Sequence, residues 1–463
     1  MKTRLRKISN ERGSVLLVTL VTAVIIGTAL ASFLVLVQNQ SAAVGRSQNW
    51  NGTMVLAEAG LEDGLQFINK YAASPNVPGW TNNYSADNWS RSVSVYNVRR
   101  YVGSNYYDVY VTNFVNGPSL CSIGYSAPPN STNATLLRKV IVKTAKDALF
   151  NYALAAKGTV NFNGNNTATD SFDSSDPNYS TNGVYISSKR KANGDVLTND
   201  AITNSNISVG NAKINGHVNT GPSGDVTVGP NGSVGDNAWV SGGNTGIQSG
   251  YEDPHTMNVQ FPDVPSPDIT YNYPWWNPFA PSGQSITING TTTAFGQAYT
   301  TAGNNYYKLS SLPGKIYVGT NVNAVIWVTG SISMAGSDQI AVAAGGSLTL
   351  YVGDVSGSSV SYSMAGNSAI NNYSTNAQNF MLLGLPTCTS ISMNGNAAIT
   401  GVVYSPQADM SLGGGGNNTY DFVGSIMAKT VTLSGHMNFH FDEALKNSTY
   451  SRGYIVTDWK EGT

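Results

Sequence analysis

Only four histidines occur in this 463-residue chain, His217, His255, His436 and His440, so any imidazole base or ligand must come from them. His436 and His440 stand beside Asp442 and Glu443, a donor set able to bind a metal. The run from His436 to Leu445 also fits a last strand and a short capping helix. We favour that reading, because an open sheet end is a pairing edge. Asp170, Asp173 and Asp176 form the densest acidic group. Close oxygen ligands can hold calcium, yet the glycine and terminal glutamate of a calcium loop are missing. Asp, Ser and Pro are ordinary turn residues, so a turn is expected there and no cofactor elsewhere. A nucleophile elbow, phosphate loop, zinc-protease helix and dinucleotide fingerprint are all absent from the sequence. Between Ile316 and Val431 the only acids are Asp338, Asp354, Asp409 and Asp421, and the only base is Lys429. No two share a repeated register, so no catalytic constellation forms and the chain is not expected to be an enzyme.

The elements that carry these residues follow from composition. Charged residues make up 11% of the chain, against about 25% in an ordinary soluble domain, and Gly, Asn, Ser and Thr take their place. Turns and short strands should therefore dominate. A net charge of -1 excludes a body that grips nucleic acid through clustered cations. Cys121 and Cys388 have neither metal-ligand nor redox spacing, and whether they pair is left open.

The amino terminus has a different character. Lys2, Arg4, Arg6, Lys7 and Arg12 face a single acid, Glu11, and are followed by an uncharged run over 13–45. Its apolar part, 14–37, is 24 residues, enough for a helix to cross a bilayer, which takes about 20. A cleaved secretory signal has a shorter apolar region, of about 7 to 15 residues. The basic leader should stay in the cytoplasm by the positive-inside rule, leaving an anchor between Val15 and Val37 and the body exported.

The run Glu11-Arg12-Gly13-Ser14-Val15-Leu16-Leu17, the apolar helix and Leu56-Ala57-Glu58-Ala59-Gly60-Leu61-Glu62 together resemble PilX-type minor pilins over about the first 70 residues. The resemblance implies cleavage between Gly13 and Ser14 by a prepilin peptidase, other pilin-like subunits as partners, and a bacterial inner-membrane location with passage to a pilus or the cell surface. Major pilins carry Glu at the fifth mature position. Val18 stands there, which points to a minor, tip or non-polymerising subunit.

Beyond the anchor, Trp50, Met54, Leu61, Leu65 and Ile68 recur at helical spacing and are expected to pack on the protein's own sheet, with Pro75 and Pro78 ending the helix. From Arg91 to Lys146 apolar residues alternate with polar ones, as in a small antiparallel sheet of about four strands. After Asp147 a five-residue pattern recurs: apolar, Ser/Thr/Asn, apolar, any residue, Gly. Ile332-Ser-Met334, Tyr362-Ser-Met364, Ile391-Ser-Met393, Met410-Ser-Leu412 and Val431-Thr-Leu433 have their glycines 30, 29, 19 and 21 residues apart. That spacing fits coils of a right-handed-type parallel β-helix. One stretch, 251–283, is dense in proline and aromatics and is expected to be an extended strap. Trp275 and Trp276 either cover apolar surface, which we favour, or form a platform for a glycan or other ligand.

The expected fold is mainly β with one long N-terminal helix: leader 1–13, helix 14–72, antiparallel subdomain 73–146, β-helix-like domain 147–447 and tail 448–463. The expected function is a pilin-like, bilayer-anchored envelope protein with a structural or adhesive body. The alternative is a membrane-tethered, carbohydrate-active β-helix.

Overall fold

The computed structural model describes residues 12–71, 84–114, 117–127, 135–163, 167–200, 205–222, 224–253, 257, 261–267, 277–278, 285–288, 298–299, 305–312, 314–395, 398–414, 420–448 and 451–462. The chain forms two compact units. One comprises 1–72, 82–145 and 454–463, and the other 73–81 and 146–453.

The first unit is built on helix α1, Arg12–Tyr71. No proline interrupts it. Its apolar segment is long enough to cross a membrane and none of it is covered by the rest of the protein. Leu16, Ile26 and Phe33 are 73%, 66% and 59% exposed. The hydroxyls of Thr19, Thr22, Thr28 and Ser32 donate to carbonyls three or four residues earlier, so these polar groups are satisfied inside the helix, as lipid requires.

The second half of α1 lies on an antiparallel sheet of β1 (Ser90–Ser92), β2 (Val95–Val102), β3 (Asn105–Thr112), β4 (Ser119–Ser126) and β5 (Leu136–Ala148). Alternation puts Tyr96, Val98, Val109, Val111, Leu120, Val140 and Val142 on the buried face. Their helix partners are Thr53, Leu56, Ala57, Gly60, Leu61, Gly64, Phe67, Ile68 and Tyr71. The expected stripe is therefore corrected. Leu61 and Ile68 are buried, but Trp50 is 46% exposed and Met54 and Leu65 lie at the flank. Glycine explains the rotation. A Cβ on Gly60 would sit 2.2 Å from Ser122 Oγ, and one on Gly124 of β4 would sit 2.1 Å from the Thr53 carbonyl oxygen, so the closest approach of helix and sheet runs through residues with no apolar side chain. The expected tail 448–463 is also corrected. Ser451–Gly462 is a strand that extends the sheet beyond β5. It carries side chains that answer those of β5: Arg138 pairs with Glu461 at 2.6 Å and Lys143 with Asp458 at 3.7 Å.

In the second unit the strand pairs are parallel, and most join strands about 20 to 30 residues apart, often passing over an intervening strand of the chain. Three files result. In the first, Ile332, Tyr362, Ile391, Met410, Val431 and Val160 are in register, as are Met334, Met364, Met393, Leu412, Leu433 and Phe162. These are the apolar positions of the recurring pattern, and all are buried. In the second, Ile326, Leu350, Leu382, Val403, Ile426, Leu154 and Val196 align. In the third, Ile316, Ile340, Ile370, Ile399, Phe422 and Phe439 align, with the last two rings stacked at 4.8 Å, the spacing of neighbouring strands. The long strands Ile399–Gly413 and Tyr420–Ser434 pass through all three files.

Chain order and pairing order differ. Tyr420–Ser434 and Met437–Asp442 pair with Leu154–Ala156, Val160–Phe162 and Ala168–Phe172, so the last strands of this unit adjoin its first. The chain enters at the middle of the series, runs to one end at Glu252–Asp253, and resumes at the opposite end.

Candidate functional site

That junction brings together the densest buried polar cluster of the described residues. His440 on Met437–Asp442 faces outward, because Phe439 and Phe441 point into the core. The neighbouring strands place Asp170 and Asp421 on either side. His440 Nδ1 lies 2.5 Å from Asp170 Oδ1, and Nε2 lies 3.5 Å from Asp421 Oδ1, an ion pair longer than a well-formed hydrogen bond. Tyr185, from the segment after Ala168–Phe172, stacks on the imidazole with centroids 3.6 Å apart and donates its hydroxyl to Asp170 Oδ2 at 2.7 Å. Beside it Glu443 accepts from Ser171 Oγ at 2.8 Å and Asn193 Nδ2 at 2.7 Å, and pairs with Lys191. Asp442 accepts from the backbone N–H groups of Ser174 and Ala444.

Burial pulls the His440 imidazole down, but the hydrogen bond to Asp170 and the charges of Asp170 and Asp421 outweigh it and push it up to about 8. The neighbouring His440 imidazolium, together with a hydrogen bond from Asn438, holds the Asp421 carboxyl below its ordinary range. Burial raises Asp442, and burial together with the charge of Asp170 raises the Tyr185 phenol. A histidine kept protonated between two carboxylates is a poor general base at neutral pH, and the cluster does the work of a lock between distant segments.

The sequence had grouped His440 with His436, Asp442 and Glu443. Its ring partners come from Ala168–Phe172 and Tyr420–Ser434, which strand pairing alone brings alongside. Asp170 belongs to this cluster, whereas Asp173 accepts from Ser175 N and Asp176 from Asn178 N, each closing a local turn. Among the described residues no three His, Cys, Asp or Glu side chains are grouped to hold a metal. His217 pairs with Asp195 and stacks on Tyr251. Cys121 and Cys388 are both free thiols. Gly13 and Ser14 fall in the first turn of α1.

The outer surfaces of the first two files differ. Strands of the second file are buried on both faces: Trp327, Tyr351, Leu383 and Tyr404 alternate with the core residues yet are at most 5% exposed. Part of their cover is the proline-rich segment, whose Phe261 and Val264 are buried in the same core. Tyr404 donates its hydroxyl to the Pro262 carbonyl at 2.6 Å, and Gln407 Nε2 to Asp263 Oδ1 at 2.7 Å. Trp275 and Trp276 lie outside the described residues. The first file alternates buried and accessible residues, and its accessible positions are Ser333, Ser363, Ser392, Ser411, Thr432 and Asn161.

Residues 282–448 match a family model described as Domain of unknown function (DUF7305). No curated protein matches the chain. Among solved structures, the competence-associated pilin ComZ from Thermus thermophilus aligns at 12% identity over 89% of this chain and 97% of that one, with a TM-score of 0.26. The DUF3494 domain of an ice-binding protein of Shewanella frigidimarina aligns at 12% identity over 63% of this chain and 94% of that one, with a TM-score of 0.21. Scores this low do not establish a shared fold.

Proposed function

We propose that this chain is a membrane-anchored, minor pilin-like protein of the bacterial envelope, whose second unit is a parallel β-helix held outside the cytoplasm as a structural or adhesive body. The observation that carries the reading is α1. One unbroken 60-residue helix exposes an apolar segment that the protein leaves bare and then packs its other half on an antiparallel sheet. The PilX-like leader adds the expectation of peptidase cleavage between Gly13 and Ser14, with other pilin-like subunits as partners. Three parallel files of strands support the β-helix, because coils stacked on one another give that register. A non-enzymatic role agrees with His440, Asp170 and Asp421 being committed to one another.

The test is made in the native host. The full chain should fractionate with the inner membrane, its body should be digested by protease added outside that membrane, and mass spectrometry should find Ser14 at the amino terminus. A soluble chain would remove the anchor. An intact Met1 would remove the peptidase step alone, and hydrolysis or elimination of a glycan by the purified chain would replace the structural reading with the carbohydrate-active one.

A further inference from the structure

The accessible side of the first file is a regular polar lattice. Ser333, Ser363, Ser392, Ser411, Thr432 and Asn161 occupy one outward column on six successive strands. A second column, Ser361, Ser390, Asp409 and Thr430, runs beside it two residues along. Strand geometry sets the spacing at about 4.8 Å between rows and about 6.6 Å between columns, so the first column is roughly 24 Å long. Close-packed Ile, Met, Leu and Phe beneath it hold the lattice rigid.

Two features separate this face from a merely solvated one. First, the surface of an ordinary soluble protein is about 25–35% Lys, Arg, Glu and Asp. Of the ten positions in the two columns only Asp409 is charged, and Lys429 and Thr430 bind it. Second, the hydroxyls of Ser333, Ser363, Ser411 and Thr432 make no hydrogen bond among the described residues. Each is both donor and acceptor. The neighbouring file, whose outward residues are apolar, is covered by the protein's own chain, and this polar one is left open.

We propose that this hydroxyl lattice is a docking face for an uncharged polysaccharide laid across the strands, along the columns. The proposal deepens the reading of the second unit as an exported adhesive body and rests on it. Charge selects the partner class: without clustered cations or anions the face offers nothing to nucleic acid, uronic-acid polymers or anionic lipid. Chemistry selects the group, since sugar hydroxyls present the same paired donor and acceptor. Periodicity selects a polymer. A single hydroxyl pair nets little in water, whereas a rigid row engages a repeating partner many times at once.

The experiment uses the full chain in detergent, with microcrystalline cellulose and chitin as neutral probes and polygalacturonate as the charged one. Retention on a neutral polymer should persist at about 1 M NaCl, where the Debye length is about 3 Å. The triple variant Ser333→Lys, Ser392→Lys, Thr432→Lys, on alternate strands so that the added charges are not direct neighbours, should weaken it by roughly tenfold or more by placing unpaired cations on the face. Asn371→Lys, on the third file, should not. Thermal unfolding of both variants should match the parent, which separates loss of the face from loss of the fold. Equal retention of the triple variant, loss of retention in salt, or retention on polygalacturonate alone would overturn the proposal. So would shaping of ice crystals with no polysaccharide retained, which would assign the lattice to ordered water. Membrane fractionation tests anchoring and export separately, so the two readings fail independently.

Discussion

Raising the pH through 8 should loosen the junction around His440, and the size of the effect follows from its surroundings. The groups facing the imidazole are Asp170 and Asp421 from the adjoining strands and the Tyr185 ring and hydroxyl above it. Against the burial that lowers it, Asp170 and Asp421 raise the imidazole from 6.5 to about 8. Between these values the folded protein holds a proton that the unfolded chain has released, so stability falls as pH rises. The contribution is fully present below about pH 6.5 and lost above about pH 8, and at about 1.36 kcal/mol per pKa unit it amounts to roughly 2 kcal/mol. Hydrogen exchange of the Met437–Asp442 amides, read by mass spectrometry at pH 6 and pH 9 after correction for intrinsic exchange, reports it locally. The free energy of opening should drop by about 2 kcal/mol in the parent and stay nearly flat in His440→Gln, which has no titrating ring. A parent profile that is flat, or that rises with pH, would refute the view that His440 is held charged between two carboxylates.

Other consequences are equally concrete. Phe439→Ala leaves a void beside the Phe422 ring and should cost about 3–5 kcal/mol, measured by denaturant unfolding of the second unit. Gly124→Ala sets a methyl against the Thr53 carbonyl, and the forced separation of helix and sheet should cost about 1–3 kcal/mol in the first unit. Ile26→Arg places a charge midway along the bare apolar segment, costs about 2.5–3.5 kcal/mol of insertion, and should shift the chain out of the membrane fraction.

Where sequence and structure agree, the agreement has a physical cause. The recurring Ile-Ser-Met pattern announced one file, because a strand with one face in the core and one in water must alternate. The second file was not visible as a file. Runs such as Asn323–Val328 are buried on both sides and have no period to detect. The anchor was legible from length and apolarity, which need no tertiary context. The helix face was not, because Ala57, Gly60 and Gly64 make the closest approach and an apolar count passes over glycine. The His440 cluster was beyond local reasoning: its members are about 250 to 270 residues apart in sequence for Asp170, Lys191 and Asn193, and only the pairing of last strands with first brings them together.

That pairing also accounts for the proline-rich strap. From Glu252 the second file passes in register through Val218, Val196, Leu154, Ile426, Val403, Leu382, Leu350, Ile326 and Tyr307 to Asn277. Those ten steps of about 4.8 Å make roughly 48 Å that the chain must cross between Asp253 and Asn277. The 23 intervening residues can reach at most about 76 Å, more than the distance requires. The described stretch of the strap, 261–267, runs over Tyr404 and covers the apolar outer surface there, so part of the segment that returns the chain to the far end also answers a solvation need.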